Sequence, residues 1–273
     1  MKLCEVYKVV DAVAPKALSD EYCAKFGAYD NSGILVDTGD DITGVLFTLD
    51  LTYAALEKAK AVGANLIITH HPVIYGKISD IRESDFAPLD RKLIACIKQG
   101  ISVISMHLNL DVAAGGIDES LMQGVCLSSV EGGSFTQMEQ VQVMHEVGGS
   151  GYGRVYGVEE TTLGALAEGM KKTFASAHIE VYGDVNRKVK RVASFCGAGG
   201  DETGVQFAVE HGADVMISSD FKHHVIVLAI EKGLSVIALT HYASENYGFE
   251  KYYQKIRESI ALPCVYHTDE ILL

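Results

Sequence analysis

The sequence predicts an α/β protein made of two interleaved, pseudo-equivalent lobes, each with a central sheet. Apolar runs of strand length alternate with helical patterns, an order typical of sheets covered by helices. This order occurs once in each half of the chain. In both halves, polar residues that are common metal ligands follow directly after predicted strands. These observations favour a doubled α/β fold with its functional groups at the strand ends.

The first half begins with a predicted strand, GVLFTLD, that starts at Gly44. A helix over LTYAALEKAKAVG follows, and Gly63 suits the end of a helix because glycine readily adopts left-handed backbone angles. The next strand, ANLIITHH, completes a β-α-β unit. A second helix, LDRKLIACIKQG, leads to the strand ISVISM and then to HLNLD. Strands that are apolar on both faces belong to covered parallel sheets.

The second half repeats this order with the strands RVASFCG, ADVMISSD and LSVIALTH, separated by the helices TGVQFAVEHG and VIVLAIEKG. We therefore predict a metal-binding lobe formed by residues 1–127 with 236–273, and a second lobe formed by 128–235. Between the halves, the run GGSGYGRVYGV lacks the spacing of a dinucleotide-binding fingerprint. It predicts a flexible turn in a connecting segment.

Composition and charge narrow the class of protein. The chain of 273 residues has a formal net charge of -13, which argues against a surface that neutralises nucleic-acid phosphates. A small-molecule partner is favoured. No apolar run approaches the ~20 residues of a membrane span. The six cysteines are scattered singly, so we expect reduced core residues in a cytoplasmic protein.

His70 and His71 follow the apolar strand NLIIT and precede Pro72, which ends regular strand pairing. A single histidine there would usually be structural. Successive strand residues face opposite ways, so two adjacent imidazoles are harder to satisfy in one core. The pair therefore indicates metal ligands.

Two further constellations follow later strands. His107 and Asp111 lie in HLNLD, where Asp111 is a candidate ligand or a cap of the following turn. His241 and Glu245 in THYASE are spaced i, i+4, which puts them on one face of a helix. There they form either a metal-binding pair or a helix salt bridge.

The five candidate ligands are His70, His71, Asp111, His241 and Glu245. Imidazole and carboxylate ligands suit zinc, iron, manganese or nickel. Five ligands are too many for one catalytic ion, and they fit two divalent ions about 3.5 Å apart with a bridging carboxylate.

The motifs ITHHP, HLNLD, DFKHH and THYASE, with YDNSG from Tyr29, resemble those of the NIF-three-like dinuclear metal proteins, also described as GTP cyclohydrolase I type 2 homologues. They follow the family's order along nearly the whole chain. Two positions depart from the family pattern, since His223 stands where tyrosine is commoner and Tyr29 where tryptophan is expected. Neither is a proposed ligand.

The resemblance implies a role for each ligand. His71 and Asp111 would hold one ion, His70 and His241 the other, and Glu245 would bridge both. His107 would lie behind the ligands. It also implies a homo-oligomer, a toroidal hexamer whose metal sites face an inner cavity.

Two classes of function remain open. As a metal-dependent hydrolase, the protein would use the ions to lower the pKa of a shared water toward neutrality, and GTP ring opening is one such reaction. Lys222 and His224 would then donate protons or bind an anionic group, or else lie in a solvated loop. The alternative is a non-catalytic metal-binding or regulatory scaffold. In YDNSG, Asp30 and Asn31 either shape the rim of the pocket or form an ordinary turn.

Overall fold

The computed structural model describes residues 1–78, 80–84, 88–130 and 141–273. By its internal contacts the chain divides into two compact units. Unit 1 comprises Met1–Ala113 and Phe249–Asp269, and unit 2 comprises Ala114–Gly248 and Glu270–Leu273. The predicted metal-binding lobe is defined by its function, so its bounds stay a prediction.

Unit 1 contains a five-stranded sheet with the strand order β1-β4-β3-β2-β11. Strands β2, β3, β4 and β11 run parallel, and β1 pairs antiparallel with β4. The strands are β1 (Gly33–Val36), β2 (Val45–Thr48), β3 (Leu66–Thr69), β4 (Ser102–Ser105) and β11 (Cys264–His267). Every residue of β2, β3 and β4 is buried, which explains their apolar sequences.

The helices of unit 1 are α1 (Leu3–Val13), α2 (Lys16–Phe26), α3 (Tyr53–Val62), α4 (Pro88–Lys98) and α5 (Leu108–Val112). Helix α3 begins where the Thr52 hydroxyl accepts a hydrogen bond from the Ala55 amide, and it ends at Gly63 with a φ of 70°. These are the expected start and stop of a helix. A buried apolar cluster that includes Leu46, Ile67 and Val103 forms the core beneath it.

Unit 2 contains a six-stranded mixed sheet with the order β5-β6-β8-β9-β10-β7. Strands β8, β9 and β10 run parallel, and β7 pairs antiparallel with β10. The strands are β5 (Gln142–Val147), β6 (Ser150–Thr162), β7 (Glu180–Tyr182), β8 (Lys188–Ser194), β9 (Val215–Ser218) and β10 (Ser235–Ala238). The helices are α6 (Ile117–Ser128), α7 (Leu163–Thr173), α8 (Glu202–Glu210) and α9 (His223–Glu231). Helix α10 (His241–Ile256) begins in unit 2 and ends in unit 1.

The predicted fold class is confirmed. Three parallel strands with intervening helices occur in each unit, and the last strand of each set has an antiparallel partner. Within the described residues, no helix combines the length and apolar character needed to cross a membrane.

The interpretation of GGSGYGRVYGV as a flexible turn is largely wrong. Only Gly148 and Gly149 form the turn, and the residues after them belong to the 13-residue strand β6. Strand β6 pairs with β5 on one side and β8 on the other. Its glycines are explained by packing, since a side chain at Gly153 would overlap the Phe195 ring.

Candidate metal centre

The turn after strand β3 positions the first two candidate ligands. The backbone amides of His70 and His71 both donate to the Leu49 carbonyl, at 3.1 and 3.0 Å. The Thr69 hydroxyl donates to the His71 carbonyl at 2.7 Å. The backbone of this turn is therefore fixed at the end of the sheet. His70 is fully buried, whereas the His71 side chain keeps 25% of its exposure.

Three imidazoles of unit 1 lie together. His70, His71 and His107 each offer a ring nitrogen, and these nitrogens lie within 4.8 Å of one another. The ring centroid of His70 is 4.9 Å from that of His71 and 5.2 Å from that of His107. The three residues follow β3 and β4, which are adjacent parallel strands. His107 therefore lies beside the candidate ligands His70 and His71, and its place behind the ligands stays a prediction.

Each of these rings is held at Nδ1 by an acceptor. His70 donates to the Met106 carbonyl at 2.7 Å. His71 donates to Asp50 Oδ1 at 2.8 Å, and His107 donates to Asp30 Oδ1 at 2.7 Å. Because a carbonyl or carboxylate only accepts, Nδ1 carries the proton and the Nε2 lone pair is left for a metal. This arrangement is usual for histidines that bind metals.

Asp30 is fixed by more than His107. Its Oδ2 accepts hydrogen bonds from the hydroxyls of Ser19, at 2.5 Å, and Ser32, at 2.6 Å. Burial favours the neutral acid, but the hydrogen bonds from His107, Ser19 and Ser32 outweigh it and hold the pKa of Asp30 below its ordinary value. Burial also disfavours the charged form of His107, yet its bond to Asp30 and the nearby charge of Asp111 raise the pKa of the imidazole.

Asp111 brings a carboxylate to the same group. Its amide donates to the His107 carbonyl in the short helix α5, at 2.9 Å. Asp111 Oδ1 lies 3.5 Å from His70 Nε2, and its side chain is 6% exposed. A buried carboxylate beside an imidazole is a suitable pair of ligands for a metal ion.

His241 and Glu245 stand one turn apart at the start of α10, in unit 2. His241 Nε2 lies 3.1 Å from Glu245 Oε2, so both side chains share one face of the helix. The Nδ1 of His241 donates to Asp220 Oδ2 at 2.5 Å. The fourth imidazole is thus oriented as the other three are. Glu245 is only 4% exposed, whereas His241 keeps 33%.

The loop after β8 fits closely around this pair. Gly197 has a φ of 55°, and a Cβ there would overlap Glu245 Oε1 and lie 3.4 Å from His241 Cε1. The Gly197 amide donates to Ser244 Oγ at 3.2 Å, and its carbonyl accepts from the Ser219 hydroxyl. A residue without a side chain therefore makes room for the Glu245 carboxylate.

The two candidate catalytic residues lie at the start of α9. Lys222 precedes the helix, and His224 lies in its first turn. His224 Nε2 is 2.7 Å from Glu202 Oε1, and both side chains are more than half exposed. The bond to His224 helps lower the pKa of Glu202, after the larger contribution of a backbone hydrogen bond.

The donor set fits a divalent transition metal. Unit 1 offers three imidazoles and one carboxylate, and unit 2 offers one imidazole and one carboxylate. Mixed nitrogen and oxygen donors suit zinc, iron, manganese or nickel.

Sequence reasoning missed Asp50, Asp220 and Gly197. Asp50 and Asp220 follow strands, as the predicted ligands do, and that position was the available signal. Asp30 was considered only as a rim or turn residue, but the structure shows that it holds His107.

The cysteines differ from the expectation of six core residues. Cys96, Cys126 and Cys196 are buried, but Cys4 is exposed because it lies on the outer face of α1. None of the six forms a disulfide.

Comparisons with known proteins identify relatives along most of the chain. The chain is 31% identical over 262 residues to a GTP cyclohydrolase 1 type 2 homolog of Clostridium perfringens, covering 95% of this chain and 93% of the relative. It is 28% identical over 248 residues to a NIF3 homolog of Schizosaccharomyces pombe, covering 88% and 83%.

Solved structures share the fold. A Bacillus cereus protein related to NIF3 matches with a TM-score of 0.77 and 20% identity, over 97% of this chain and 96% of that one. Reduced HcgD from Methanocaldococcus jannaschii matches with a TM-score of 0.76 and 25% identity, over 97% of each chain. The family model for Duf34/NIF3 (NGG1p interacting factor 3) matches residues 1–268. The chain therefore belongs to the Duf34/NIF3 family.

Proposed function

We propose that this protein is a metal-dependent hydrolase that uses two divalent ions. The observation that carries the proposal is the orientation of the four imidazoles, each held at Nδ1 by a carbonyl or carboxylate. Surface histidines rarely need such support, whereas metal-binding histidines usually have it. The proposed ligands are His70, His71, Asp111, His241 and Glu245.

When bound, divalent ions supply a Lewis acid and activate water as a nucleophile. The chain's own residues orient the candidate ligands for this role. Asp50 and Asp220 fix the rings of the partly exposed His71 and His241, which solvent or substrate can approach. His70, Asp111 and Glu245 are buried and cannot be hydrated by bulk water. Buried and exposed donors together suit a site that holds its metal and still admits a substrate.

His107 is proposed as a positioning residue or additional ligand. Its side chain keeps 20% of its exposure, and Asp30 fixes its ring. Lys222 and His224 are proposed to donate a proton or to bind an anionic group. The support for these two residues is their exposure at the start of α9, two and four residues after Asp220 in the sequence.

The names of relatives make GTP a candidate substrate for this chain. Opening the imidazole ring of a purine is hydrolysis at an electrophilic carbon, which fits a Lewis acid with an activated water. The same groups would serve an amidase or a phosphoesterase. The reaction class is therefore better supported than the substrate.

The experiment is a hydrolysis screen on protein loaded separately with zinc, iron, manganese or nickel. Substrates are GTP, dipeptides and phosphodiesters, and each assay is repeated after chelation and after metal is restored. We expect turnover of at least one class that chelation abolishes and metal restores. A protein that binds metal tightly but hydrolyses none of them would instead be a metal-binding scaffold.

We also propose a cytoplasmic homo-oligomer, a hexamer by family resemblance. Sedimentation at micromolar concentration should give a mass well above that of one chain. A monomer would contradict this part of the proposal while leaving metal binding intact.

A further inference from the structure

Unit 2 contains a cavity that none of the proposed ligands lines. Its volume is about 460 Å³, within the roughly 300–1,000 Å³ of small-molecule sites. It lies where β9 and β10 end and β7 begins, and the carboxyl ends of parallel strands are the usual place for ligands in α/β sheets. We call it the β9–β10 cavity. Its main lining residues are Glu180, Tyr182, Asp220, Phe221, Ile226 and Leu239.

The polar lining of the cavity includes two acidic side chains beside His178 and Thr240. Glu180 and Asp220 contribute carboxylates, and no lysine or arginine is among the described residues that line it. One oxygen of each carboxylate is engaged, because the Tyr182 hydroxyl donates to Glu180 and His241 donates to Asp220. Within the described part of the chain, the second oxygen of each accepts no hydrogen bond. The cavity therefore presents two acceptors and a negative potential to a ligand.

Much of the remaining wall is apolar, and part of it is aromatic. Phe221, Ile226 and Leu239 contribute hydrocarbon surface, and Tyr182 adds a second ring. Aromatic faces beside carboxylates suit an organic cation, because the ring quadrupole and the charge both attract it. An anion would meet the two carboxylates, and the described lining offers it no lysine or arginine.

The backbone of Asp220 is a separate indication that this corner has a function. Its φ is 53°, and the other non-glycine residue with positive φ in the described ranges is Ala175. Such strain is concentrated at functional sites. Asp220 also links the cavity to the candidate centre, because the carboxylate that lines the cavity holds the His241 ring.

We propose that the β9–β10 cavity binds the ammonium group of a small amine with an apolar body. This rests on the proposed function in one respect: the amine would be the part of the substrate that anchors it beside His241. Glu180 and Asp220 would accept hydrogen bonds from the ammonium group, and Tyr182 and Phe221 would contact the apolar body.

The test compares three probes of similar shape and different charge. Phenethylamine is a cation at pH 7, phenethyl alcohol is neutral and 3-phenylpropionate is an anion. Binding of each to the full-length, metal-loaded protein is measured by calorimetry in a constant excess of acetate, which would occupy the carboxylate-binding positions of the proposed metal ions. We expect the amine to bind about tenfold more tightly than the alcohol, and 3-phenylpropionate to give no heat of binding. Equal affinity for the amine and the alcohol, or tighter binding of the anion, would overturn the proposal.

Two variants locate the amine. Glu180→Gln removes one cavity carboxylate and should weaken phenethylamine about tenfold while leaving phenethyl alcohol unchanged. Glu231→Gln makes the same change of charge at the exposed end of α9, outside the cavity lining, and should leave both affinities unchanged. If the two variants bind the amine equally well, the amine lies elsewhere and the assignment is wrong.

The binding readout separates this inference from the proposed hydrolase. Amine binding that depends on Glu180, without hydrolysis of any substrate, would support the cavity and contradict the enzyme. Hydrolysis without Glu180-dependent amine binding would support the enzyme and contradict the amine site in the cavity.

Discussion

The carboxylate of Asp118 and the guanidinium of Arg154 form an ion pair that is closed to solvent inside unit 2, with side-chain exposures of 0% and 3%. Asp118 also accepts hydrogen bonds from the backbone amides of Gly153, at 3.0 Å, and Cys196, at 3.1 Å. One carboxylate thus holds α6 to β6 and to the loop after β8. Because water cannot solvate either charge, the loss of one side chain would leave the other charge buried without a counter-charge.

Asp118→Asn should lower the free energy of unfolding by about 3 kcal/mol, because it leaves Arg154 buried without a counter-charge. Urea unfolding measures the change. Glu168→Gln is the control, since it removes the exposed pair with Lys171 in the same unit and should have little effect. Similar losses in both variants would show that the buried pair has no special role.

Gly197→Ala should lower metal content, because a Cβ there displaces the Glu245 carboxylate. Gly212→Ala is a matched control. Gly212 has a φ of 69° and nothing within 4 Å of an added Cβ, so it shares the backbone strain without the collision. Elemental analysis should show metal loss in the first variant alone. Equal metal content in the two would argue against a role for Gly197 at Glu245.

Asp50→Ala should weaken metal binding by about tenfold to a hundredfold, because the His71 ring loses its Nδ1 acceptor. Competition with a chromogenic chelator gives the affinity. Asp37→Ala removes an exposed carboxylate of the same unit, whose one hydrogen bond among the described residues is with the Gly39 amide, and this variant should bind metal normally. If both variants bind alike, Asp50 does not orient a ligand.

Glu245→Ala should affect metal content more than any other single substitution. A bridging carboxylate offsets the repulsion between two ions, so its loss affects both. His70→Ala and Asp111→Ala should each weaken mainly one ion. The measurement is metal per chain, with folding checked by circular dichroism. Should Glu245→Ala keep two ions while the others lose one, Glu245 does not bridge.

Buried thiols should resist alkylation. Burial raises the pKa of Cys96 to about 11 and that of Cys126 to about 12, so neither forms the reactive thiolate near neutral pH. Cys4 is exposed and should react with iodoacetamide first. Mass spectrometry of native protein follows each site, and in urea all six should react. Native labelling of Cys96 or Cys126 as fast as Cys4 would contradict their burial.

The parallel cores could be predicted because their strands are buried on both faces and are therefore apolar throughout. Strand β6 could not, since its glycines depress strand propensity, and two of them are explained by close contacts, Gly151 with the His145 backbone and Gly153 with the Phe195 ring. The sequence of β6 itself does not reveal such contacts.

The candidate ligands were found because each follows an apolar strand in a recognisable motif. Their acceptors were not, because the pairing is tertiary. Asp30 lies 77 residues before His107, and Asp50 lies 21 residues before His71. The hydrophobic periodicity of a strand or a helix predicts local structure and does not reveal such tertiary hydrogen bonds.

The left-handed backbone at Asp220 has a consequence for anyone who evolves this protein for heat resistance. Glycine would relax that position by about 1 kcal/mol, so selection for stability alone favours losing the carboxylate. The same replacement would release the His241 ring and remove one wall of the β9–β10 cavity. Thermostable variants should therefore be screened for metal retention, because the side chain that lowers stability at this position is the one that orients a candidate metal ligand.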